Sequence, residues 1–270
     1  MLARGKFLSK PKHQYKAVVF GGNSAVGRGL VKELASSSSC VKITSIDYKP
    51  SNIHSEIDAS LREKISHHVI SSDNFEKETQ KLVSGNTVAF WAAQTESAQQ
   101  TDLNKYEVEH LSKFAELCKE AGVHHFSMLS TMDADSHASN PVQHLKGVAE
   151  NQVESVKFDR LSLFKPFIIS QPGHTSSSLE SVLHFAYPTV GWLLPQRYHP
   201  TAIPTLSKAM RFNVEIGALG TVERYEHQDF LDIIDQTTPA KRSFIPSGLS
   251  KYFGPVVLIG VSSAWLNLVQ

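Results

Sequence analysis

The stretch Phe20-Gly21-Gly22-Asn23-Ser24-Ala25-Val26-Gly27-Arg28 has the composition of a phosphate-gripping turn. It follows the apolar run Ala17-Val18-Val19-Phe20 and opens a helix-like stretch from Val26 to Leu34. Glycine after a first strand allows a tight turn, close backbone approach to a pyrophosphate, and close packing of helix on strand. The helix N-terminus then offers unpaired N–H groups and the positive end of its dipole to the phosphate. Gly21 and Gly27 occupy the outer positions of G-x-x-G-x-x-G, with Ser24 at the middle one. A serine hydroxyl can donate to phosphate, while its β-carbon holds the backbone further away. The cofactor-binding residues expected here are Gly21, Gly22, Asn23, Ser24, Ala25, Val26 and Gly27. The glycine pattern gains weight from Asp47 at the end of the next apolar run. A carboxylate there accepts from a ribose 2′-OH and repels a 2′-phosphate, which favours NAD over NADP. Lys49 weakens that preference, and Asp47 also reads as a loop residue opening a turn at Pro50. Whether the nucleotide is structural, or absent, stays open.

No other cluster has comparable spacing. The pairs His67-His68 and His124-His125 flank expected strands and lack metal-ligand spacing, so no metal is expected. Cys40 and Cys118 are too few for a disulfide framework and point to a reducing compartment. A formal net charge of +1 gives no reason to expect nucleic acid as a partner.

The elements that must hold this turn alternate regularly. Apolar runs at Ala17–Phe20, Val41–Ile46, His68–Ile70, Thr87–Trp91, Phe126–Leu129 and Leu161–Phe164 read as strands. Between them, Leu103 to Ala121 forms a long amphipathic pattern stopped by Gly122, and Asn140-Pro141 marks another helix start. Strands alternating with helices predict an α/β fold, a doubly wound parallel sheet of the Rossmann type. Ser178–Tyr187 and Pro204–Ile216 read as helices of a small C-terminal cap. The expected organisation is a basic segment at 1–14, one nucleotide-binding domain at 15–235, and an extension at 236–270.

Both ends are unusual. Arg4, Lys6, Lys10, Lys12, Lys16, Arg28 and Lys32 all precede the first acidic residue, Glu33. This reads either as mitochondrial targeting or as a short solvated tail. Residues 254–269, GPVVLIGVSSAWLNLV, are apolar but just short of the roughly 17–25 residues of a spanning helix. Membrane contact, docking on a partner, and packing on its own domain all remain open for this tail.

From Phe126 to Pro166 the chain contains FSMLSTMDAD, HLKGVAE and KFDRLSLFKP. With Leu194-Pro195, Ile203-Pro204 and Lys208-Ala209-Met210, these resemble the atypical short-chain dehydrogenase/reductases of the Tat-interacting oxidoreductase type, near the NAD-epimerase and NmrA-like groups. The resemblance covers Lys16 to about Asp235. It implies a serine after the fifth strand that orients substrate, and a Tyr-x-x-x-Lys pair on the next helix. Residues four apart share a helix face. The lysine lowers the tyrosine pKa and holds the nicotinamide ribose, and the phenol moves the proton. Ser130 and Lys146 match the serine and lysine, but Val142 stands where the tyrosine belongs. No tyrosine occurs between Tyr106 and Tyr187. Asp133, Asp135, His137 and His144 are poor substitutes, reading as solvated positions or another helix face. The resemblance further assigns Ser72 and Asp73 to the adenine end, Ala92, Ala93 and Gln94 to the cofactor groove, and Lys165, Pro166 and Phe167 to the nicotinamide end.

Three functions follow. The first is a non-catalytic relative, an accessory or assembly subunit among the protein subunits of a mitochondrial respiratory membrane complex. The second is an active NAD(P)H-dependent oxidoreductase with a different acid/base. The third is a nucleotide-sensing regulator.

Overall fold

The structure, a computed structural model, describes residues 14–93, 104–170 and 195–237. Its elements are β1 (Tyr15–Phe20), α1 (Ala25–Ser36), β2 (Cys40–Asp47), α2 (Ala59–Arg62), β3 (Ile65–Val69), α3 (Phe75–Val83) and β4 (Val88–Trp91). A π-helical turn (Lys105–Glu109) leads into α4 (His110–Glu120), then β5 (His125–Leu129), α5 (Pro141–Ser155) and β6 (Arg160–Phe164). The short strands β7 (Ile169–Ser170) and β8 (Thr201–Ala202) pair with each other, and α6 (Ile203–Glu215), β9 (Val222–Tyr225) and α7 (His227–Thr237) follow.

Seven parallel strands form one sheet in the order β3-β2-β1-β4-β5-β6-β9. The order reverses between β1 and β4, and ligands of open α/β sheets bind beyond the strand ends at such a point. Ala17, Val18, Val19 and Phe20 are all buried because helices cover both faces of β1. Ala17 and Val19 pack with Leu30 and Leu34 of α1, Met210 of α6 and Phe230 of α7. Val18 and Phe20 pack with Phe75 of α3, Phe114 of α4 and Val153 of α5. Phe20 stacks on Trp91 with ring centroids 4.6 Å apart, which ties β1 to β4 just below the ligand end.

Most strands fall where the apolar runs predict. β3 differs, because it spans Ile65–Val69 and not His68–Ile70. It is an edge strand carrying Ser66, His67 and His68, so it has no apolar run, and its register comes from pairing Ile43 of β2 with Ile65. The long helix does end at Gly122, with φ +85°, but it begins as a π turn. In α5 the Asn140 carboxamide accepts from the Val142 and Gln143 amides, and Pro141 is the first helical residue. Helix α6 lies along α1, where a β-carbon on Gly29 would sit 2.4 Å from Ser207 Oγ. The expected helix at 178–187, the basic residues 4–12 and the apolar tail at 254–269 lie outside the described residues. Among the described residues no helix is long and apolar enough to cross a membrane.

Candidate functional site

A cleft of about 1550 Å³ opens at the C-terminal ends of β1, β2, β4, β5 and β6. Ligand pockets for drug-sized molecules run to about 300–1,000 Å³, so this cleft has room for an extended ligand such as a dinucleotide. Gly21, Asn23, Ser24, Ala25 and Arg28 form one wall, and Asp47, Tyr48 and Tyr106 another. Ser130, Lys146, Pro166 and Phe167 lie along the rest.

The turn after β1 depends on its glycines. Gly21 has φ +83°, and a β-carbon on it would lie 2.3 Å from the Ala93 amide nitrogen. A β-carbon on Gly27 would lie 2.0 Å from Gly21 O. Ser24 fills the middle position without strain, since its φ of −63° suits any residue. Its hydroxyl donates to Ala92 O at 2.6 Å and accepts from the Gly27 amide at 2.9 Å. The expectation that this hydroxyl donates to phosphate is therefore corrected, because a hydroxyl has one proton and Ala92 takes it. The amides of Ala25 and Val26, first in α1, have no acceptor among the described residues. Unpaired amides at a helix N-terminus are what a pyrophosphate requires, so the turn fits the cofactor.

Asp47 is buried at the end of β2. Its Oδ1 accepts from the Asn23 amide at 2.8 Å, its Oδ2 from the Ser45 hydroxyl at 3.1 Å, and His67 Nδ1 lies 3.5 Å from Oδ2. The Asn23 side chain in turn donates to Lys49 O and Pro50 O. Burial pushes the Asp47 carboxyl up to about 6, against the lowering pull of the Asn23 amide and the Ser45 hydroxyl. Asp47 is thus a brace for the glycine turn as well as a residue lining the cleft. Each carboxylate oxygen has two lone pairs, so capacity remains for a ribose hydroxyl.

At the other end of the cleft, two buried carboxylates dominate. Ser130 donates its hydroxyl proton to Glu150, and Lys165 Nζ donates to the second oxygen of Glu150 at 2.9 Å. All three side chains are buried. Lys146 Nζ meets Glu107 Oε2, on the π turn, at 2.5 Å. The proton of Ser130 and the charge of Lys146 are therefore both committed inside the protein. Val142 is 47% exposed and is not among the residues lining the cleft.

No protein-family model matches the chain. Protein HTATIP2 of Rattus norvegicus is 30% identical over 173 residues, covering 60% of this chain and 69% of that protein. The chain belongs to the atypical short-chain dehydrogenase/reductases. Protein fmp52, mitochondrial, of Aspergillus niger is 29% identical over 82 residues, which cover 30% of this chain and 35% of that protein. Among solved structures, UDP-glucuronic acid 4-epimerase from Bacillus cereus in complex with NAD aligns with a TM-score of 0.60 and 16% identity, over 82% of this chain and 81% of that one. The 3-oxoacyl-[acyl-carrier protein] reductase from Brucella melitensis in complex with NAD aligns with a TM-score of 0.59 and 12% identity, over 82% and 99%. At these identities the likeness is one of fold.

Against the short-chain dehydrogenase/reductase pattern, the structure brings Ser130, Lys146, Pro166 and Phe167 together along one cleft, with Ala93 beneath Gly21. Several expected positions differ. Ser72 and Asp73 form a tight helical turn after β3 and do not line the cleft; the chain bends back at Ile70, whose amide bonds Asp47 O. Ala92 is fully buried and contributes only its carbonyl to Ser24. Lys165 turns inward to Glu150 and does not border the cleft. The side chain of Val26 and the backbone of Gly22 and Gly27 are buried beneath the turn, while the Val26 amide nitrogen stays among the unpaired donors at the start of α1. Gln94 lies outside the described residues. Asp133, Asp135, His137 and His144 do not line the cleft, and Asp135 accepts from the His137 amide.

Four positions at or beside the cleft escape the sequence reading. Glu150 follows Lys146 by four residues, a spacing that signals a shared helix face, yet nothing showed Lys165 arriving from β6. Glu107 sits on the π turn that opens α4 and accepts from Lys146 there. Tyr48 and Tyr106 both line the cleft, with rings 5.3 Å apart, and the Tyr48 hydroxyl pairs with His110 Nδ1. Burial raises the Tyr48 phenol pKa well above its ordinary value. Among the described residues no group of three or more His, Cys, Asp or Glu side chains could hold a metal.

Proposed function

We propose that this chain binds a pyridine nucleotide, with NAD preferred, and no longer performs the proton transfer of its family. The supporting observation is that Ser130 and Lys146 are both neutralised by buried carboxylates, Glu150 and Glu107. With its proton held by Glu150, Ser130 presents only lone pairs to the cleft and cannot donate to a substrate carbonyl. With Val142 four residues before Lys146, no phenol shares the lysine's helix face. The Ala25 and Val26 amides and the glycine cradle support nucleotide binding, as does the NAD carried by structures of the same fold. Bound NAD would supply hydride chemistry, while the chain's own residues only grip and orient it.

The role that fits is an accessory or assembly subunit of a mitochondrial membrane complex, contacting protein subunits. The match to a fungal protein described as mitochondrial and the basic N-terminal stretch support that setting. Gentle purification from mitochondria, followed by identification of released nucleotide and co-eluting subunits, tests both parts. NAD with a membrane assembly is expected; an empty, solitary protein would overturn the proposal.

One observation favours the alternative of an active NAD(P)H-dependent oxidoreductase. Tyr106 lines the cleft and adjoins Glu107, the partner of Lys146. Under that reading Tyr106→Phe abolishes a measurable reductase activity; under the proposal the parent has none to lose.

A further inference from the structure

The opposite ends of the same strands carry a second hollow, of about 270 Å³. That is smaller than the roughly 300–1,000 Å³ of pockets for drug-sized ligands, so it suits one small group. Lys16, Lys42 and Lys81 line it, with Thr44, His68 and Gly85. No carboxylate lines it.

The placement follows from strand alternation. Side chains two apart in a strand share a face. Lys16 therefore shares a face with Val18 and Phe20, and Lys42 with Thr44 and Ile46; Val18, Phe20 and Ile46 pack against α3 and α4. Lys16 and Lys42 are register partners across β1 and β2, and Lys81 comes from the last turn of α3. Lys32, Lys113, Lys119, Lys146 and Lys165 each meet a carboxylate. Lys16, Lys42 and Lys81, all exposed, meet none among the described residues, and neither do Lys49, Lys64, Lys77, Lys105, Lys157 and Lys208; what sets the three apart is that they line one hollow. Like charges directly opposite on neighbouring strands are destabilising. The helix dipole accounts for Lys81 at a C-terminus but not for the Lys16–Lys42 pair. An anion seated between the three ammonium groups removes the repulsion.

We propose that this basic hollow binds a phosphate group, carried either by a soluble phosphate ester or by a lipid headgroup. A phosphate monoester brings about −1.5 to −2 charges at pH 7, enough to offset most of the three lysines. The site is independent of the nucleotide cleft, which lies at Phe20 and Asp47, the far ends of the same two strands.

The test is a titration of the full, isotope-labelled chain with inorganic phosphate, followed by amide NMR shifts. Saturable shifts at Thr44, His68 and Gly85 are expected. The variant Lys16→Gln/Lys42→Gln/Lys81→Gln should weaken binding there by about tenfold, from three exposed charge contacts. Shifts at Ala25 and Val26, which report the nucleotide cleft, should be unchanged by the variant. Shifts confined to Ala25 and Val26, or hollow shifts untouched in the variant, would overturn the proposal. Co-sedimentation with phosphatidic acid vesicles, lost in the variant, assigns the phosphate to a lipid headgroup. Phosphate shifts without co-sedimentation assign it to a soluble ester.

Discussion

Replacing Glu150 by glutamine should separate a committed Ser130–Glu150–Lys165 network from an incidental contact. Glu150 accepts from Ser130 on one oxygen and from Lys165 on the other, and Lys165 is only 9% exposed. Glutamine keeps one acceptor and removes the charge, so the Lys165 ammonium is left buried without a counter-charge. Breaking a buried ion pair from one side costs about 3–5 kcal/mol, and the retained amide oxygen places this variant near the lower end, about 3 kcal/mol. For a domain of this size each kcal/mol lowers Tm by about 2–4 °C, so the expected drop is about 6–12 °C. Urea denaturation at pH 7, read by the fluorescence of the buried Trp91, measures the free energy. The double variant Glu150→Leu/Lys165→Met should lose less than Glu150→Gln alone, because removing both charges leaves no orphan. A loss below about 1 kcal/mol in Glu150→Gln, or a double variant worse than the single, would refute the network.

Three further tests bear on the glycine turn, Asp47 and Val142. Gly21→Ala should cost about 2–4 kcal/mol, since its φ is +83° and its β-carbon would meet Ala93 N at 2.3 Å; urea unfolding and loss of NAD binding by calorimetry check this together. Burial holds the folded-state pKa of Asp47 at about 6, above its ordinary value of 3.8. Its contribution to stability is therefore fully present below pH 4 and lost as pH rises to 6 and beyond, by about 3 kcal/mol; the parent-minus-Asp47→Asn difference in unfolding free energy across pH 3.5–7 should show that slope, and a flat difference would count against it. Val142→Tyr should fold normally because the site is exposed, yet leave reductase assays silent while Glu107 and Glu150 hold Lys146 and Ser130.

The parts of the site that sequence made legible are those set by local backbone rules. Gly21 and Gly27 announce a turn because few other residues tolerate their contacts, and Asn140-Pro141 announces the start of α5. Ser130 and Lys146 were found through the family pattern, and both reach the cleft. What stayed hidden depends on tertiary approach. The direction of the Ser24 hydroxyl is set by Ala92, just past the end of β4 and 68 residues away in sequence. Glu107 reaches Lys146 across 39 residues through a π turn that no propensity signals. β3 lacks an apolar run because it is a polar edge strand, so its start at Ile65 carries no signal in the sequence.

The central claim is a nucleotide that is held and not used. The direct measurement incubates the purified chain with NADH deuterated at the transferable position and a panel of aldehydes, ketones and quinones, then reads bound nucleotide and products by mass spectrometry. We expect a stoichiometric amount of NADH recovered with its deuterium and products free of label. Deuterium in a product, or a chain that retains no nucleotide, would contradict the account.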